Sequence, residues 1–304
     1  MIYSYFRDLK ISKVGLGAVQ FGMDYGFTKA KTQSEVDAIL TKCVECGINF
    51  IDTARGYGDS EAKIGLFLKR QERDRFIIAT KLQKISDLNS DPRAHVKCSI
   101  EASLEHLKTG RIDILQLHET PERLLINPLF WEGIAEAKKA GRIVYFGVSV
   151  YTPAETMALI EKYGDHIDFI QAPYSVFDQE FETVFPLCEK RGIGVISRSV
   201  FLKGLIPAAL NEIPPELDRI KKFKQLLSLL ARRVGLEDTE LALLFVIASK
   251  AIHSTLVGAN AVDEVSMNVK VLDKLQLVPA LRKELKELQI AEPFLRDPRQ
   301  WSQL

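Results

Sequence analysis

The chain has 304 residues, 46% hydrophobic and 27% charged, with 41 basic and 40 acidic side chains and a formal net charge of +1. That length holds one large domain or two ordinary ones, in a composition typical of soluble globular proteins. The charge balance excludes a basic nucleic-acid binder and an acidic disordered tail, and no apolar run approaches the ~18 residues of a membrane span.

Met1–Ile11 carries Arg7 and Lys10 but no apolar signal core, so a cytoplasmic protein is expected. Residues 3–12 read as a small hairpin. Short apolar runs then alternate with amphipathic ones. Strands are predicted at Val14–Gln20, Asn49–Asp52, Phe76–Lys81, Ile112–His118, Val144–Ser149, Phe169–Gln171, Gly194–Ser197 and Ser254–Gly258. Helical spacing falls between and after them, at about 33–46, 60–71, 92–108, 128–140, 153–164, 180–191, 239–250 and 261–275. Gly47, Gly141 and Gly192 follow helical runs where a left-handed cap needs glycine. Asp59-Ser60-Glu61, Ser90-Asp91-Pro92 and Thr152-Pro153 read as helix starts.

Eight strand–helix units imply parallel strands with right-handed crossovers. They close most naturally into a (β/α)8 TIM barrel, here with a short N-terminal hairpin and a C-terminal extension. The competing dinucleotide-binding open sheet needs G-x-G-x-x-G after its first strand. Gly15-Leu-Gly17-Ala-Val-Gln20 lacks the third glycine. Residues 201–238 form a long insertion with Pro207, Pro214 and Pro215, then a helical run over 217–234, and read as a binding element or lid. The tail, 276–304, is expected to fold back over a barrel end. With no linker in sight, residues 1–304 read as a single domain.

Cys43-Val-Glu-Cys46 has redox-pair or half-metal-site spacing. It lies on an apolar helical stretch with no second such pair, so a structural role is expected and no metal site is predicted.

The chemistry lies elsewhere. In such a barrel, catalytic groups sit at the C-terminal ends of strands. Asp52, Lys81 and His118 fall there on strands two, three and four, and Tyr57 follows in a glycine-flanked loop. A phenol is a poor donor unless its pKa falls, and a nearby ammonium lowers it. A buried lysine in turn needs a carboxylate partner. Asp52, Lys81 and Tyr57 supply that chain of dependence, with His118 to orient a substrate oxygen. The set suits a carbonyl becoming an alkoxide.

Gly-Ile-Asn-Phe-Ile-Asp-Thr-Ala (47–54), Gly-Tyr-Gly-Asp-Ser-Glu (56–61), Ala-Thr-Lys (79–81), Leu-Gln-Leu-His (115–118) and Phe-Gly-Val-Ser (146–149) occur in order. In them the chain resembles the aldo-keto reductase superfamily over nearly its whole length. The resemblance implies a catalytic tetrad of Asp52, Tyr57, Lys81 and His118, and a nicotinamide cofactor across the C-terminal face. It further implies cofactor contacts from Ser149, Gln171, Arg198, Ser199, Gly258, Asn260, Glu264 and Asn268. Tyr25, after the first strand, is a substrate-pocket candidate.

The chain departs from the family at several of these positions. Val150 stands where an Asn is common. Arg198 replaces the aromatic that stacks on the nicotinamide; a guanidinium can stack too, and its charge would either recognise an anionic substrate or weaken binding of the oxidised, cationic cofactor. Asn260 and Glu264 stand where many members place Arg or Lys for the 2′-phosphate of NADP. Lys203 and Lys270 are the substitute cations in the sequence. NADPH is expected on the family pattern, with NADH as the alternative.

The leading reading is NAD(P)H-dependent reduction of an aldehyde or ketone, with the proton from Tyr57. Residues 15–26 and 198–204 are similar to bacterial members associated with polysaccharide and sugar-nucleotide pathways. They imply a polar, sugar-like or anionic substrate; the charge balance and the lack of a long apolar run point to neither nucleic acid nor membrane as partner. A second reading is a cofactor-sensing regulatory subunit with slow chemistry. A third, a hydrolase built on Asp52 and His118, predicts no nicotinamide binding.

Overall fold

A computed structural model describes residues 1–24, 29–71, 73–84 and 91–301. Two strands, β1 (Tyr3–Phe6) and β2 (Leu9–Ser12), pair antiparallel as the predicted hairpin, turning at Arg7. Eight parallel strands follow: β3 (Val14–Gly17), β4 (Phe50–Asp52), β5 (Ile77–Lys81), β6 (Ile112–Leu117), β7 (Ile143–Ser149), β8 (Phe169–Pro173), β9 (Gly194–Arg198) and β10 (Ser254–Val257). They pair in sequence order, and β10 closes on β3 to complete the barrel. The fold is the expected (β/α)8 TIM barrel.

The strands are short and almost wholly buried, because helices cover their outer faces while side chains fill the inside. The interior core is Ile11, Phe50, Ile77, Ala79, Ile114, Tyr145, Phe169, Ile196 and Leu256, with Phe6 of the hairpin inserted from below. The Phe6 and Phe169 rings lie 4.2 Å apart. Phe169 needs Gly194 beside it, since a Cβ there would meet its ring at 2.3 Å. Asn49 opens a predicted strand but stands just outside β4. Its side chain instead accepts from Ser12 N–H at 2.8 Å and donates to Lys10 O at 2.7 Å, fastening the hairpin to the barrel.

Gly47, Gly141 and Gly192 take left-handed φ of 77°, 65° and 64°, as their positions after helices required. Cys43 is buried in the core, its thiol pushed up to about 12 by burial, and Cys46 is half-buried beside it.

Several elements differ from the sequence pattern; the run at 261–275 is an α-helix only over Val262–Lys270 and continues as a 3-10 segment, Val271–Leu277. The first barrel strand ends at Gly17, and Val19–Gly22 turn into a helix. There Gln20 leaves the wall and donates to Ala259 O at 3.0 Å. The run at 180–191 splits into a 3-10 turn, Glu180–Thr183, and a helix, Phe185–Arg191, whose first turn holds Pro186. The 201–238 insertion folds as three 3-10 turns before helix Lys221–Arg233.

The tail returns across the barrel. Ile290 N–H donates to Phe177 O at 2.9 Å. Buried Arg296 pairs with Glu180 at 2.6 Å, and the Trp301 indole donates to Phe294 O at 2.6 Å. No helix among the described residues is long and apolar enough to cross a membrane.

Candidate active site

Adjacent strands set the spacing of the site. β4 ends on Asp52 and β5 on Lys81, and His118 directly follows β6, so the three lie side by side along the C-terminal rim. Asp52 and Lys81 are 3% and 1% exposed. Lys81 Nζ lies 2.6 Å from Asp52 Oδ2 and donates to Thr53 O at 2.9 Å. The other carboxylate oxygen accepts from Gln171 Nε2 at 2.8 Å and Gln116 Nε2 at 3.0 Å. Two amides and one ammonium thus satisfy a carboxylate that burial would otherwise make very costly.

The loop after β4 brings Tyr57 over this pair. Lys81 Nζ stands 5.1 Å from the Tyr57 ring centroid, and the Tyr57 and His118 rings meet edge to face at 5.5 Å. The loop is held by a very close backbone approach. A Cβ on Gly22 would lie 1.8 Å from Tyr57 O, and one on Gly58 would lie 2.1 Å from Gly22 O. Behind it, buried Glu61 accepts from Thr80 Oγ1 at 2.7 Å and from Arg55 Nη1 at 2.9 Å. This ties the tyrosine loop to the strand that carries Lys81.

The electrostatics correct one expectation. Burial raises the Tyr57 pKa above the ordinary phenol value, and the opposing pull of Lys81 does not cancel it. Burial alone would lower Lys81; Asp52 and Tyr57 reverse that and hold it above the ordinary ammonium value. His118 is pushed down to about 4, first by burial and then by the Lys81 charge, so its imidazole is neutral at pH 7.

A cleft of about 960 Å³ opens above this group, at the large end of ligand pockets. Asp52, Tyr57, His118, Ser149, Gln171, Arg198, Ser199, Gly258, Asn260, Glu264 and Asn268 all line it. Lys81 lies beneath its floor. Of the two substitute cations, Lys203 lines the cleft and Lys270 does not. Glu264 accepts from Asn260 N–H at 2.9 Å. Arg198 donates to Val150 O at 2.9 Å, so the residue in place of the usual Asn holds the guanidinium through its backbone. Tyr25 lies outside the described residues. Asp24 accepts from Lys29 Nζ at 2.7 Å and from Ala30 N–H at 2.9 Å, and Glu119 pairs with Lys84 on the surface.

Sequence reasoning missed four contributors. Gln116, a lone amide in an apolar strand, was the most legible. Gln20 and Tyr151 line the cleft without a motif to mark them, and Arg299 reaches it from the tail. Ser199 and Lys203, already singled out in the sequence, stand with Leu202 and Gly204 in a run of positive φ just past β9. Such strain concentrates at ligand sites.

The sequence model of the aldo/keto reductase family matches residues 13–290. The oxidoreductase YqkF of Bacillus subtilis is 30% identical, with 93% of each chain covered. L-galactose dehydrogenase of Arabidopsis thaliana is also 30% identical, over 94% of this chain and 92% of the relative. Among solved structures, the holo form of aldo-keto reductase AKR11C1 from Bacillus halodurans superposes with a TM-score of 0.78 at 27% identity, covering 94% of each chain.

Proposed function

The chain belongs to the aldo/keto reductase family, and from that premise we propose that it reduces an aldehyde or ketone with NADPH, Tyr57 giving the proton. NADH is the alternative cofactor. The observation that carries the reading is the convergence of Tyr57, His118 and the buried Asp52–Lys81 pair on one wall of one cleft.

The cleft walls fit a dinucleotide. They run from Tyr57 and His118 past the buried amide and hydroxyl of Gln171 and Ser149 to Asn260 and Asn268. The turns after β9 bring Lys203 to the cleft as a cation. Ser149, Gln171, Arg198 and Ser199 would hold the nicotinamide end, and Gly258, Asn260, Glu264 and Asn268 the adenosine end. When bound, the nicotinamide supplies a hydride.

The remaining work falls to the chain's own groups. Neutral His118 donates to the carbonyl oxygen and orients it. Tyr57 keeps its proton until negative charge develops on that oxygen, then transfers it. Lys81 stabilises the phenolate left behind, and Asp52 keeps Lys81 charged.

Fluorescence titration with NADPH and NADH, alongside turnover of an aldehyde panel, tests the reading. Tyr57→Phe should bind cofactor with an affinity within a few-fold of wild type and lose reduction by a factor of at least ~10². Full turnover in that variant would remove Tyr57 as the acid. Failure of both cofactors to bind would remove the reductase reading.

A further inference from the structure

The C-terminal tail places a second guanidinium at the reacting end of the cleft. Tyr151, two residues past β7, donates from its hydroxyl to His118 O at 3.2 Å. The guanidinium carbon of Arg299 lies 4.0 Å from the Tyr151 ring centroid, and that of Arg198 lies 4.7 Å from it. All three side chains line the cleft together with Tyr57 and His118.

Arg299 is aimed by its surroundings. Asp297 accepts from its Nε at 2.9 Å and its Nη2 at 2.5 Å, while Nη1 has no protein partner among the described residues. The segment is pinned upstream by the buried Arg296–Glu180 pair and downstream by Trp301. Arg198 is held in turn by Val150 O and by Ser199 Oγ at 3.3 Å. Asp297 takes the Nε–Nη2 side of the Arg299 guanidinium, which leaves Nη1 to meet an anion from the cleft. The planar fork of a guanidinium matches a carboxylate. The position assigns that anion to the substrate: Tyr151 and His118 follow β7 and β6, whereas Lys203, Asn260 and Asn268 stand after β9 and β10.

Resting on the reductase reading above, we propose that the substrate is an aldehyde or ketone bearing a carboxylate, and that Arg299 is the residue that selects it. The test is a matched pair of aldehydes, 4-carboxybenzaldehyde and its neutral methyl ester. Wild type should favour the carboxylate in kcat/KM by about tenfold or more, as a charge-assisted hydrogen bond allows. Arg299→Gln should bring that ratio to about two or less, mainly through KM of the acid, and Arg299→Lys should keep part of it. A wild-type ratio near one overturns the proposal and leaves the reductase standing. So does a ratio unchanged in Arg299→Gln, which would make Arg299 a tail latch. No turnover of either aldehyde with either cofactor overturns the reductase reading and the substrate class together.

Discussion

Substituting Gly22 by alanine tests whether the backbone contact beneath Tyr57 sets its position. The added Cβ would stand 1.8 Å from Tyr57 O, 2.5 Å from Ser60 N and 2.8 Å from Asp59 N. All three are backbone atoms, so no side chain can rotate away. Ordinary contact begins near 3.4 Å, and the two loops must therefore part by at least about 1.6 Å. Gly22 has no positive φ, so alanine meets only this lack of space. Lys81 and His118 are fixed to β5 and β6 and do not follow the tyrosine. Misplacing a reacting group by about 1 Å can cost ~10²-fold in rate, and overpacking of this kind costs roughly 1–3 kcal/mol of stability. Steady-state reduction, cofactor titration and urea unfolding measure the three consequences. The expected result is kcat/KM down about a hundredfold, cofactor affinity nearly unchanged and a lower urea midpoint. Gly110→Ala is the control, because a Cβ there meets nothing within 4 Å. Activity within twofold of wild type in Gly22→Ala would refute the argument.

Lys81→Met leaves the Asp52 carboxylate buried with only Gln116 and Gln171 as donors, and should cost about 3–5 kcal/mol in urea unfolding at pH 7; adding Asp52→Asn should recover part of it. Wild-type stability in the single variant would contradict the buried-pair argument. His253, like His118, is pushed down to about 4, by burial and by the Lys13 charge. Its Nδ1 accepts from Val195 N–H at 3.1 Å and so must stay unprotonated in the folded chain. Between pH 6.5 and about 4 the unfolded chain binds protons that the folded one refuses, so stability is full above that window and falls as pH falls through it. His253→Gln should flatten the slope of urea midpoint against pH there; an unchanged slope would show that other groups carry it. Glu264→Gln removes a carboxylate from the proposed adenosine end and should shift the affinity ratio toward NADPH over NADH by about three- to tenfold. If the ratio does not move, Glu264 serves Asn260 N–H alone.

The barrel and the placement of Asp52, Tyr57, Lys81 and His118 were legible because each group follows a short apolar strand, and adjacent parallel strands put consecutive ends side by side. Arg299 was not legible. Its position depends on Arg296 meeting Glu180, a pairing between distant segments that leaves no local pattern. The approach of Gly22 to Tyr57 was hidden for the same reason, although both residues stood in motifs already singled out. Gln171 shows a subtler limit. The family pattern pointed to the cofactor, whereas the fold also gives its amide to Asp52. Charge patterns carry identity, but the depth at which a group is buried comes only with the packing. That depth decided the sign of the Tyr57 shift.

That sign bears on the direction of the proposed chemistry. A phenol held above its ordinary pKa keeps its proton throughout the neutral range, and Lys81, also held high, keeps its charge. The resting pair is therefore a neutral acid beside an ammonium whose own charge Asp52 balances. Such an acid does not protonate a carbonyl in the ground state. It becomes competent when the oxygen acquires alkoxide character and grows more basic than the phenolate, so proton transfer follows the developing charge. The reverse reaction needs the phenolate, and below the raised pKa its population falls tenfold with each unit of pH. Burial of Tyr57 thus keeps the protonated form that reduction needs fully populated at neutral pH, while the Lys81 charge offsets part of the cost of losing that proton.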